Sequence, residues 1–150
     1  MNILFFKLAF IAYLLSTLGY GTSLLGKRIR IAKLSLWLMI GGFLFHSLFL
    51  VQRMFETGQT PLLGLPSALN VFAWVMAGSF LALQLKTRTV VLGAFVSPAV
   101  CILMIYAGWG LRAAVAIPPA LQGSLVPSHA ILSVAGEALF ALASCAGAMY

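Results

Sequence analysis

The feature that most constrains this chain is a set of five long apolar runs, residues 3–25, 34–52, 69–85, 89–107 and 128–150, separated by short breaks. A helix needs about 20 consecutive apolar residues to cross the hydrocarbon of a bilayer. Residues 69–85 form the shortest run, and the break between it and 89–107, Lys86-Thr87-Arg88, suits a tight helical hairpin. Strands of a transmembrane barrel would alternate polar and apolar over about ten residues; these runs are continuously apolar. In lipid the backbone must satisfy its own hydrogen bonds, and a helix does so segment by segment. The expectation is an all-α, polytopic transmembrane bundle of about five helices, a single domain over residues 1–150, with the lipid bilayer as its solvent.

Composition points the same way. Hydrophobic residues make up 63% of the chain and charged residues 7%, with a mean hydropathy of +1.10. A soluble domain carries roughly a quarter charged residues. The net charge of +7 is concentrated in the breaks, where Lys27, Arg28, Arg30 and Lys33 form one cluster and Lys86 and Arg88 another. Charges placed this way set topology, and no nucleic acid partner is expected. The breaks 26–33 and 86–88 hold six Lys/Arg, against three (Lys7, Arg53 and Arg112) on the other side. The basic breaks are therefore expected in the cytoplasm, with the N-terminus outside and the fifth helix running inward. The first run is interrupted only by Lys7 and exceeds the length of a signal-peptide core, so it reads as a retained helix. The longer breaks, 53–68 and 108–127, contain Gly and Pro yet stay apolar. They are expected to lie along the outer surface, with a short amphipathic helix near 111–116.

Few polar side chains fall within the runs, and each is costly in hydrocarbon. His46, in the second run, reads either as a neutral histidine bonded to a neighbouring helix or as a ligand to haem iron or another metal. His129 opens the fifth run after Pro127 and Ser128, at the outer interface. It reads either as an interfacial residue facing water or as a ligand to a cofactor held at that surface. On a helix, Ser133, Gly136, Phe140 and Gly147 lie within roughly 40° of His129. That partly small face suits either a neighbouring helix or a flat ligand. Glu137 is the sole acid within a run; it could accept a hydrogen bond, hold a proton or pair with a cation. Asn70 and Gln84 are expected to bond between helices, and Gln52 is a further polar candidate. Cys101 and Cys145 show no CxxC spacing and read as small core residues. No hydrolase elbow, phosphate loop or zinc-protease motif is present, and two acids leave no paired-carboxylate chemistry, so no catalytic residue is assigned.

The stretch from Arg53 to Trp74, RMFETGQTPLLGLPSALNVFAW, resembles the cytochrome c assembly proteins of the CcsA/ResC type, which read R-x-x-E-S-G-x-x-P-L-x-N-x-x-E-S-x-x-x-x-x-W there. Arg53, Glu56, Gly58, Pro61, Leu62 and Trp74 match without a gap. The stretch HAILSVAGEALFALASCAGAMY from His129 is similar to a family helix that begins with an outer histidine. A histidine in the second helix, as His46, recurs in the HemX- and YpjD-like relatives. The resemblance runs from about the second helix to the end, carried by spaced single residues. Gln59 stands where many members have His, and Ser67-Ala68 where the pattern has Glu-Ser. The family's tryptophan-rich WGxxWxWDxKE motif and second outer histidine do not occur. The chain therefore resembles the N-terminal part of a longer protein.

The resemblance implies a multi-pass protein of the bacterial inner (cytoplasmic) membrane that binds haem and helps present it for attachment to apocytochrome c. It implies His129 as an axial ligand to haem iron, His46 as a second haem-binding candidate, and a partner membrane assembly protein. It leaves open a share in a cytochrome c haem lyase. The alternatives are a HemX-like regulator of a haem-biosynthesis enzyme and a structural membrane module without cofactor.

Overall fold

The computed structural model describes residues 3–57, 64–87, 90–110 and 125–148. They form five helices: α1 (Leu4–Gly26), α2 (Ile29–Thr57), α3 (Leu65–Thr87), α4 (Val90–Gly110) and α5 (Leu125–Ala148). All five are long and apolar enough to cross a membrane, and no strand occurs among the described residues. The chain is an all-α bundle and a multi-pass membrane protein, as its apolar runs predict.

The helix ends depart from the hydropathy boundaries. The expected break at 26–33 contracts to a turn at Lys27 and Arg28, because α2 begins at Ile29 and carries Arg30 and Lys33 within its first turns. Lys27 takes left-handed backbone angles (φ 49°, ψ 33°), and its amide donates to the Ser23 carbonyl, closing α1. At its other end α2 runs to Thr57, five residues beyond the apolar run, and α3 begins at Leu65 rather than at 69. The reason is physical. Helical hydrogen bonding continues wherever residues favour it, and Lys, Arg, Gln, Met and Glu do so. The 29 residues of α2 span about 43 Å at 1.5 Å per residue, more than the hydrocarbon thickness of ~30 Å. Its charged ends therefore reach the headgroups. The expected amphipathic helix near 111–116 lies outside the described residues.

α1 packs along α2, α3 along α4, and α1 also packs on α4. α2 touches α3, and α5 rests on α3 and α4. Tyr13, Tyr20, Met39, Met76, Phe80, Val96, Val100 and Met104 fill the shared core. Glycine permits two of the close approaches. A Cβ at Gly42 would stand 2.8 Å from the Tyr13 ring, and one at Gly93 2.6 Å from the Tyr20 ring. This is the small-residue contact by which membrane helices gain packing energy that lipid cannot supply. The outward faces carry Leu14, Leu18, Leu44, Ile102 and Leu139, all exposed as lipid contacts require. Trp109 projects from the end of α4, where amphipathic rings favour the interface. The exception is α5, which buries only Ala138 and Leu142.

Candidate functional site

Two regions hold the polar side chains singled out by the sequence, and they differ in burial. The first is interior and joins three helices. His46 is fully buried. Its Nε2 lies 3.2 Å from Oδ1 of Asn70 on α3, and its Nδ1 3.4 Å from the hydroxyl of Tyr13 on α1. One proton assignment satisfies all three groups: Nε2–H donates to Asn70, and the Tyr13 hydroxyl donates to Nδ1. The Tyr13 and His46 rings meet edge-on, with centroids 5.9 Å apart. Asn70 thus makes the interhelical bond expected of it. Both nitrogens of His46 are engaged, so iron ligation would cost it one of these bonds.

This network continues along the α2–α3 interface. The indole N–H of Trp74 donates to Ser47 Oγ over 2.8 Å, and its ring stacks on Phe43 at 5.4 Å and 12°. The Arg53 guanidinium donates to Ser67 Oγ over 3.0 Å. Gln52 donates to Glu56 over 2.7 Å on the exposed side of α2. The two ends of the motif, Arg53 and Trp74, therefore both bind α2 to α3. Gly58, Gln59, Pro61 and Leu62 lie outside the described residues. Ser67, where the motif has Glu, accepts from Arg53. Sequence reasoning did not single out Tyr13 or Ser47.

The second region is the surface of α5. His129 is exposed in its second turn, with Nε2 3.5 Å from Ser133 Oγ, at the outer limit of a hydrogen bond. A Cβ at Gly136 or Gly147 would meet nothing within 4 Å, and Phe140 is 78% exposed. The face carrying His129 is therefore open, as a flat ligand or a further helix would need. Glu137 is exposed on the neighbouring face. His46 and His129 share no hydrogen-bonding partner.

The remaining candidates take structural places. Cys101 is buried against Thr17 Oγ1 at 3.4 Å, Cys145 is half-buried, and both are free thiols. Gln84 Oε1 is buried without a hydrogen-bond partner among the described residues, so the interhelical bond expected of it is not seen at that oxygen. No group of three or more His, Cys, Asp or Glu converges as a metal-ion site among the described residues. Axial ligation of haem asks less, a single accessible imidazole per face, and His129 meets that requirement.

Comparison with known proteins returns no family model, no curated protein and no solved structure that matches this chain.

Proposed function

We propose that this protein handles haem in the bacterial inner membrane during cytochrome c assembly, with His129 as an axial ligand. The observation that carries the reading is the accessible imidazole of His129 at the end of α5, on a face that Gly136 and Gly147 leave open. The Arg53–Trp74 likeness supports it independently. Bound haem would supply an iron for imidazole to coordinate and the porphyrin that is passed on to apocytochrome c.

The residues of the chain have separable tasks in this reading. His129 offers a ring nitrogen, and Ser133, one helical turn along, can hold the ring by its weak contact. Fixing the second nitrogen of an imidazole ligand orients it and raises its basicity. Tyr13, His46 and Asn70 clamp α1, α2 and α3 together, giving α5 a rigid body to rest on. His46 serves as the second haem-binding candidate only if it releases Tyr13 or Asn70, and its present bonds favour the clamp.

The test is a spectrum. The purified protein, supplied with haemin and then reduced, should show the sharp visible bands of low-spin haem. Deleting the gene should remove holocytochrome c while cellular haem stays normal. A protein that stays colourless with haemin, or a deletion that changes haem precursors and spares cytochrome c, overturns the reading.

A further inference from the structure

Glu137 stands near the midpoint of α5, about 18 Å from Leu125 at 1.5 Å per residue. It is exposed there, about 60° around the helix from Phe140, which is 78% exposed. No hydrogen bond or ion pair reaches it among the described residues. Acids within membrane spans face the bundle interior or a polar cavity and pair there, because hydrocarbon offers a carboxylate nothing. His46, also within a span, follows this rule with both nitrogens bonded. Glu137 does not, and it stands on the helix that buries least of its surface.

The exposed acid belongs to a row. His129, Ser133 and Glu137 recur at every fourth position, so each neighbours the next while the row turns about 80° around α5 from its end to its middle. All three are exposed. A polar row descending to mid-membrane is matched by a polar neighbour rather than by lipid tails.

We propose that this side of α5 seats a transmembrane helix of another protein, one that places a Lys, Arg or His side chain opposite Glu137. The chemistry of the acid selects the occupant. Among the described residues, a second copy of this chain has no cation to offer at that depth. Every Lys and Arg on the described helices lies within about one turn of a helix end, and His46 is buried and bonded. Crosslinking separates another protein from segment 111–124 and from any further part of this polypeptide. The proposal does not depend on haem binding at His129.

A photo-crosslinking amino acid placed at Phe140, in cells that naturally make the protein, tests this directly. The expected adduct joins α5 to one other polypeptide, within a turn of a basic residue in a transmembrane segment. Glu137→Gln keeps the side chain's size and inserts more readily than the acid, so membrane levels should hold. Its adduct should fall on the order of tenfold, the equivalent of about 1.4 kcal/mol. Glu137→Lys combined with an acid at the partner's basic position should restore it. An adduct to lipid alone, to a second copy, to segment 111–124 or to any further part of this polypeptide overturns the proposal. So does an adduct to another protein that Glu137→Gln leaves undiminished.

Discussion

The imidazole of His46 and the carboxamide of Asn70 meet 3.2 Å apart inside the bundle, joining α2 to α3, while Tyr13 reaches the other ring nitrogen from α1. One side chain thus ties together three helices. In membranes such bonds average only about 0.6 kcal/mol each, since the separated helices find other partners. Leaving buried groups orphaned costs more, about 1–3 kcal/mol for each. His46→Phe should therefore lower stability by about 2 kcal/mol or more, read as a reduced melting temperature in detergent. The double variant His46→Phe with Asn70→Leu should be less destabilised than the two single losses added together. Strict additivity would show that the two side chains are not coupled.

The close approach of α4 to α1 yields a second expectation. A methyl group at Gly93 would lie 2.6–2.9 Å from three atoms of the buried Tyr20 ring, whereas one at Gly21 would meet open space. Overpacking of this kind costs about 1–3 kcal/mol. Gly93→Ala should destabilise the protein by such an amount. Gly21→Ala should be neutral or mildly stabilising, because alanine favours helix over glycine. Equal effects at the two positions would contradict the α1–α4 packing.

The number of helices was legible in the sequence because spanning segments must be apolar throughout, and nothing in water competes for that pattern. Their ends were not, because Arg30 and Lys33 are polar enough to close a hydropathy run yet continue α2 without a break. That difference hid the register of the first hairpin. Once the turn is placed at Lys27 and Arg28, folding the chain about it sets Tyr13 opposite Gly42 and brings His46 within one helical turn. The partner of His46 follows from that position. Asn70 was singled out because a carboxamide in hydrocarbon requires a bond, whereas a tyrosine reads first as an apolar ring, and Tyr13, at mid-span of α1, gave no comparable signal. The exposure of Glu137 was illegible for another reason: helical periodicity gives relative angles around α5 but not which of them faces α3.

Orientation rests on the basic residues and can be checked apart from function. A reporter active only in the cytoplasm should work when fused after Arg28 or Arg88 and stay silent in segment 111–124. Each basic residue flanking a short loop favours the cytoplasmic side. The reverse pattern would put His129 on the cytoplasmic face and remove the basis for outward presentation of haem.

The decisive residue for the haem reading is His129. Its ring is exposed, and among the described residues its one polar contact is at the limit of hydrogen bonding and no buried group depends on it. Loss of an interfacial side chain costs a membrane protein little compared with loss at mid-bilayer. His129→Ala should therefore insert and melt like the parent protein while losing its haem absorption. Added imidazole should restore part of the spectrum by filling the vacated coordination position. Ser133→Ala should weaken haem retention by about tenfold, the low end of the range for an orienting contact, as its long hydrogen bond implies. His46→Phe should leave the spectrum in place if His46 acts as the clamp described above. If His129→Ala retains haem unchanged and His46→Phe loses it, the ligand is His46, and the α1–α2–α3 clamp must open to bind.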